Sequence, residues 1–232
     1  MDFECAIIGG GPGGLVSALY LRRFLRSVVV ASGGAPRASW IPKTHNLVGY
    51  RGGISGVELL SRLQQQLDEL GVERAVGLFK ISKIRGGFRV TSNEDQFTAK
   101  KVIIATGITD HEPELGNVPA LRRLGLLRYC PVCDAYEYQN KRIAVMARDE
   151  HGLMSSLFLS KFTKKLQVIW SPSARIPREL ARRCEGKGLV IHHSNVEAMS
   201  AQKGAEPGLM ITLEGQTKNL FVDAATSRSE RP

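Results

Sequence analysis

No apolar run in this 232-residue sequence approaches the roughly 20 residues that a membrane-crossing helix needs, so a membrane protein is not expected. The N-terminus, Met1-Asp2-Phe3-Glu4, carries acids where a secretory leader carries bases. Four cysteines are too few for a secreted disulfide framework in a chain of this length. These absences point to the cytoplasm. Metal ligands are also missing. The only Cys-x-x-Cys has no second pair, Cys5 and Cys184 stand alone, and His192-His193 lacks cysteines or acids at ligand spacing. No metal site is expected. The net charge of +10 is not concentrated in one patch, and its denser runs, such as Arg22-Arg23 with Arg26 and Lys161 with Lys164-Lys165, read as solvated helix faces. Nucleic acid is therefore not an expected partner; an acidic protein or a polyphosphate-bearing cofactor suits the charge.

What is present is a soluble globular composition, 43% hydrophobic and 23% charged, long enough for one large or two ordinary domains. Phe3 to Ile8 reads as a strand, Gly9-Gly10-Gly11-Pro12-Gly13-Gly14 as a turn, and Leu15 to Leu25 as a helix. In that context the glycines have separate tasks: Gly9 permits the tight turn, Gly11 lets the backbone approach a pyrophosphate, and Gly14 lets the helix pack on the strand. Dinucleotide binding is the expectation. The next strand, Ser27 to Val30, ends in Ala31-Ser32-Gly33, so Ser32 stands where an acid would hold the ribose hydroxyls. A loop from Gly33 to Gly56 carries Trp40, His45, Asn46 and Tyr50, and its length marks it as functional. A helix over Val57 to Leu70 precedes a β excursion, Val72 to Ala99, with Gly86-Gly87 as its hairpin turn; Lys101 to Ala105 returns to the sheet and ends at Thr106-Gly107.

Cys130-Pro131-Val132-Cys133-Asp134 is the chemical centre. Two sulfurs at this spacing can cycle between dithiol and disulfide, and Asp134 is near enough in sequence to give a proton to a leaving thiolate. A second α/β unit follows, with strands over Arg142 to Met146 and Leu166 to Trp170, helices over Gly152 to Phe162 and Pro177 to Cys184, and strand-rich sequence from Leu189 to Val222. Its turn has no glycine fingerprint. Ala147-Arg148-Asp149-Glu150-His151-Gly152 puts two acids where phosphates need backbone donors, and Trp170-Ser171-Pro172 offers no arginine pair for a 2′-phosphate.

Taken together, Gly9 to Gly14, His45-Asn46-Leu47-Val48-Gly49, Ala105-Thr106-Gly107 and Cys130 to Asp134, in this order and at these separations, resemble the low-molecular-weight thioredoxin reductases over essentially the whole chain. The resemblance implies an α/β protein of two Rossmann-like, three-layer ββα domains. Residues 1–115 are expected to form an FAD-binding domain with a β-hairpin excursion, and 116–222 a second nucleotide-binding-like domain carrying the cysteines. Residues 223–232 are expected to begin a return to the FAD domain whose remainder is missing.

It further implies that Gly9, Gly11, Gly13, Gly14, Asn46, Thr106 and Gly107, with Ser32 in place of the ribose acid, line the FAD. Cys133 is then the flavin-side sulfur, Cys130 attacks an external disulfide and Asp134 donates the proton. Because the second fingerprint is absent, NADPH is not expected to serve in the usual way. Ferredoxin-dependent, diflavin-linked and dithiol-oxidase relatives, the diflavin type with a second FAD in the nicotinamide position, are the nearer comparison. The implied partner is a thioredoxin-like protein or a small-molecule disulfide or dithiol, with an acidic electron-donor protein and a homodimeric assembly alongside. An FAD-dependent thiol–disulfide oxidoreductase is the first reading; a dithiol oxidase delivering electrons to oxygen and a catalytically idle or truncated nucleotide-binding protein stay open beside it.

Overall fold

A computed structural model describes the chain apart from residues 111, 205, 206, 228, 231 and 232. It separates into two compact units, Met1–Ile108 and Thr109–Pro232, a division that falls before the 115/116 boundary read from the sequence. Among the described residues no helix is long and apolar enough to cross a membrane.

In the first unit, β1 (Phe3–Ile8) leads through the glycine turn into α1 (Pro12–Arg23) and then β2 (Val28–Ser32). A single 3-10 turn, Arg37–Trp40, and a bridge between Thr44 and Ile54 organise the long loop. The helix α2 (Gly56–Glu69) starts where the Ser55 side chain accepts the Glu58 N–H, satisfying one of the donors that a helix start leaves unpaired. Strands β3 (Glu73–Val76), β4 (Lys80–Ile84), β5 (Gly87–Thr91) and β6 (Gln96–Ile104) complete a six-stranded sheet of order β3-β2-β1-β6-β5-β4. The four strands β3, β2, β1 and β6 run parallel; β4 and β5 add an antiparallel hairpin.

Because side chains alternate along a strand, Cys5 and Ile7 of β1 meet Leu15, Ala18 and Leu60 of the helices, while Ala6 and Ile8 join Val29, Val90 and Phe97 on the opposite face. Both faces of β1 are buried, which is why it reads as an unbroken apolar run. Full burial of a side chain such as Ile7 is worth about 1.5–3 kcal/mol.

The second unit opens with β7 (Thr109–Asp110), α3 (Val118–Arg123), β8 (Leu127–Arg128) and the single-turn α4 (Pro131–Asp134). It continues through β9 (Ile143–Ala147), α5 (Glu150–Leu159), β10 (Leu166–Trp170), α6 (Arg178–Glu185) and β11 (Val190–His193). The remaining strands are β12 (Val196–Gln202), β13 (Gly208–Leu213), β14 (Leu220–Val222), β15 (Ala224–Ser227) and β16 (Ser229–Glu230), the last paired with β7.

A five-stranded parallel sheet, β11-β10-β9-β15-β8, lies between two layers. Leu153, Leu159, Leu180 and Cys184 of α5 and α6 pack on one side against Val145 and Val168. Met199, Leu209, Ile211 and Leu213 of the antiparallel β12-β13-β14 sheet cover the other side over Ala144 and Ile169. This is the three-layer ββα arrangement. Ala224–Ser227, set apart as tail in the sequence reading, is instead an interior strand of this sheet, paired with both β9 and β8. The reason is long-range: Asp223 binds Arg142 next to β9 through its carboxylate and backbone, fixing the strand's entry.

Candidate functional site

The cysteine motif sits just after β8. Cys130 and Cys133 are joined as a disulfide, and Cys130 is the N-cap of α4. Proline at the first helical position suits this start, since its missing N–H would have had no partner there. The Cys130 Sγ accepts the Cys133 N–H at 3.2 Å, while the Cys130 carbonyl accepts from Cys133 and Asp134 at 3.0 and 3.1 Å. Cys130 is half-buried; Cys133 is exposed, with Val132 and Tyr136 exposed around it.

Asp134 is tied to Arg128, whose Nη1 lies 3.3 Å from its Oδ1 with both side chains largely covered. Arg128 is itself anchored: its Nε donates to the Gly125 carbonyl at 3.1 Å. Gly125 has φ +71°, and a Cβ there would lie 3.1 Å from the guanidinium. Tyr138, one turn beyond Asp134, has a buried hydroxyl with no hydrogen-bond partner among the described residues. Burial, together with the nearby Asp134 charge, pushes its phenol well above the usual range. On the other side of the pair, the buried Tyr129 donates its hydroxyl to Glu112, which also receives Arg122 at 3.0 Å.

Sequence reasoning did not single out Arg128, Tyr129 or Glu112. Arg128 sits six residues before Asp134, outside any helical spacing, so no local pattern reports the pair. The remaining thiols are buried, and burial pushes both Cys5 and Cys184 up, outweighing the nearby Lys101 and Arg183 charges, as fits inert packing residues. Trp170 is buried, its indole N–H donating to the Ala174 carbonyl at 2.6 Å, so its ring is core. His192 pairs with Gln167 at 2.8 Å, and no group of three potential metal ligands occurs among the described residues.

In the first unit the glycine turn crosses from β1 to α1 under two backbone bonds, Gly9 N to Ala31 O and Ala105 N to Ile8 O, each 2.8 Å. Gly9 has φ +124°, and a Cβ on it would lie 2.1 Å from the Ala105 carbonyl oxygen; one on Gly14 would lie 1.9 Å from that of Gly9. Gly11 and Gly13 are different. Nothing closer than 3.9 Å would meet a Cβ at Gly11 and nothing within 4 Å one at Gly13, so these two border open space. Gly11 is the N-cap of α1 and supplies no side-chain acceptor, leaving that helix start uncapped. Ser32 ends β2 beside Gly10. Asn46 lies in the loop, accepting the Thr44 hydroxyl at 2.5 Å, while Thr106 and Gly107 are exposed just past β6.

The equivalent start in the second unit is closed. Asp149 is the N-cap of α5, and its Oδ1 accepts the Gly152 N–H at 2.9 Å; Glu150 follows in the first turn. Gly152 keeps the packing role, since a Cβ there would lie 2.6 Å from that of Ala147. A carboxylate therefore takes the donor that a bound phosphate would use. Beyond the carboxyl ends of β9, β10 and β15, bounded also by the segments Glu112 to Leu115 and Ser194 to Val196, is a crevice of about 340 Å³.

Comparison with known proteins aligns with this geometry. The family described as pyridine nucleotide-disulphide oxidoreductase matches residues 3–166. Thioredoxin reductase from Peptoclostridium acidaminophilum is 28% identical over 173 residues, covering 72% of this chain and 54% of that protein, so the chain spans about half the length of that curated relative. Thioredoxin reductase from Treponema pallidum is 27% identical over 232 residues, 96% of this chain and 75% of its own. Among solved structures, thioredoxin reductase from Streptococcus pyogenes superposes with a TM-score of 0.84 at 25% identity, over 97% of this chain and 75% of that one.

Proposed function

The chain belongs to the thioredoxin reductase-like pyridine nucleotide-disulphide oxidoreductase family, and within it we propose an FAD-dependent thiol–disulfide oxidoreductase that does not draw its electrons from NADPH. The observation that carries this reading is the Cys130–Cys133 disulfide whose Cys130 sulfur already receives a backbone N–H.

A donor aimed at sulfur favours thiolate over thiol, so in the reduced pair Cys130 is the stronger nucleophile. The Cys130 thiolate attacks an external disulfide, forming one new S–S bond and releasing one thiolate, which takes a proton. The Cys133 thiolate then attacks Cys130, the second thiol departs, and the pair is again a disulfide with two electrons passed on. Asp134 serves as the proton donor to a leaving thiolate, and Cys133 is the sulfur assigned to the flavin. The reverse direction makes the same pair a dithiol oxidase.

The first turn fits FAD: the uncapped start of α1 and the open positions Gly11 and Gly13 leave backbone N–H groups for a pyrophosphate. FAD when bound supplies a reversible two-electron store. Ser32 is assigned to the ribose hydroxyls, and Asn46, Thr106 and Gly107 to the rest of the lining. The second turn does not fit NADPH, because Asp149 and Glu150 oppose its phosphates. The chain's net charge of +10 suits an acidic electron-donor protein; a thioredoxin-like protein or small disulfide is the partner assigned to Cys130.

The test is the absorbance spectrum of the purified protein before and after NADPH and then a dithiol. A yellow protein, unmoved by NADPH and bleached by the dithiol, is expected. Rapid bleaching by micromolar NADPH overturns the claim about the donor, and a colourless protein that refuses added FAD overturns the flavin.

A further inference from the structure

We propose that the corner where α1 ends is a peripheral docking point for an anionic lipid surface, with Phe24 and Leu25 entering the bilayer interface and arginines meeting the headgroups. Among the described residues no helix can span a bilayer, and a surface contact needs no span.

The helix closes in a turn where the Arg26 N–H donates to the Leu21 carbonyl at 3.1 Å and the Leu25 N–H donates to that of Arg22 at 2.9 Å. This pair of bonds puts Leu25 in the left-handed region, with φ +60°. Glycine is the usual occupant of such a place, because a β-carbon there crowds the following carbonyl oxygen. Leu25 takes that strain and is 87% exposed, so its side chain adds almost nothing to the core. Phe24 beside it is 67% exposed, and the exposed Tyr20, one turn back, has its ring centroid 6.4 Å from that of Phe24. A strained leucine next to two exposed rings gains nothing from folding. Its apolar surface is free to meet a partner.

Charge selects that partner. Arg22, Arg23 and Arg26, which the sequence reads as a solvated face, flank the tip, and Lys100 of β6 lies near enough to Glu4 for its charge to lower that carboxyl. Most acids of the region are engaged: Glu4 by Arg26 at 3.3 Å, Asp2 by the Thr98 N–H at 2.7 Å, and Asp68 by Arg74 at 2.6 Å. The exposed Glu69 remains against Arg22, Arg23 and Lys100. An anionic headgroup layer over a hydrocarbon interior offers both complements at once, opposite charge for the arginines and an apolar medium for the tip. A second copy of the same face, related by a two-fold axis, would instead set arginines against arginines. The glycine turn lies at the other end of α1, about 18 Å away along its twelve residues, so docking leaves that turn open.

The experiment is flotation of the full chain with phosphatidylcholine vesicles, with and without phosphatidylglycerol, at low and high salt. Binding should be about tenfold stronger with phosphatidylglycerol and should fall as salt rises. Phe24→Ser and Leu25→Gly should each weaken it by about tenfold, the loss of roughly one apolar side chain from the interface. Leu25→Gly also removes the left-handed strain, so its melting temperature should rise, which separates lost docking from lost folding. Arg23→Gln should weaken binding about fivefold and lessen its dependence on salt. A chain that floats with neither vesicle overturns the proposal, as does equal binding with and without phosphatidylglycerol, or binding unchanged in both tip variants. Sedimentation velocity reads the second copy: self-association that Leu25→Gly abolishes, without flotation, assigns the face to a dimer and overturns lipid docking. Flotation requires neither flavin nor turnover, so a protein that proves redox-inert leaves this result standing.

Discussion

Arg128 Nη1 lies 3.3 Å from Asp134 Oδ1, so the acid that directly follows the disulfide-linked cysteines is held by a cation from the strand that precedes them. The guanidinium is fixed in turn by the Gly125 carbonyl, which leaves the carboxylate little freedom of position. On the proposed mechanism Arg128 acts through Asp134 and is a positioning residue. Replacement by Gln should slow disulfide exchange by about 10- to 100-fold, the scale on which a misplaced group loses rate, and should shift the pH profile of the reaction. Arg128→Lys should recover part of the rate. The pH dependence of turnover with a dithiol checks this; an unchanged profile in the Gln variant would show that Asp134 needs no anchor.

The two cysteines should titrate differently once reduced. Because Cys130 Sγ receives the Cys133 N–H, Cys133→Ser should leave a single thiol that ionises below the ordinary value of about 8.5, whereas Cys130→Ser should leave one without that advantage. Thiolate absorbance or alkylation rate against pH measures both. Either variant should abolish turnover.

Neighbouring glycines of the first turn should separate stability from binding. Gly14→Ala places a Cβ 1.9 Å from the Gly9 carbonyl oxygen and should cost about 1–3 kcal/mol or more, read as a fall in melting temperature. Gly13→Ala meets nothing within 4 Å and replaces a poor helix former, so it should hold or raise stability while weakening FAD binding. Thermal melts run beside a flavin titration distinguish the two. A Gly13→Ala variant with full FAD affinity would remove that position from the cofactor lining.

Asp223 and Arg142 should govern part of the acid limb of stability. Burial alone would raise the Asp223 carboxyl, but the side-chain and backbone hydrogen bonds from Arg142 hold it below its ordinary value of 3.8. A carboxyl depressed in the folded state stabilises above its unfolded value, and that contribution is lost as pH falls through the folded value. Asp223→Asn should therefore lower the melting temperature at neutral pH and flatten its decline below about pH 4. Parallel melting curves for variant and parent would expose a role confined to shape.

Much of the fold was legible because its strongest signals are local. A buried parallel strand such as Phe3–Ile8 is apolar throughout, and a glycine turn leading into Pro12 marks the start of a helix, whatever the rest of the chain does. Other elements were read with less definition. The return strand read over Lys101 to Ala105 is part of one continuous strand, Gln96–Ile104, whose first residues pair with β5, whose last pair with β1, and whose Ala99 pairs with both. The short helix Val118–Arg123 was not read at all, having only one and a half turns in which to show a period.

The sequence alone determined that a Cys-x-x-Cys-Asp motif, a glycine turn and two α/β units share this chain, because each depends on residues adjacent or at fixed short spacing. Only the tertiary structure decided which groups face one another. Arg128 holds Asp134, Glu112 gathers Tyr129 and Arg122, Asp223 reaches Arg142 across 81 positions to set β15 inside its sheet, and the crevice is assembled from five separate segments. Local periodicity records which face of an element is apolar; it carries no record of long-range pairings, which form only when the packed sheets bring distant residues together.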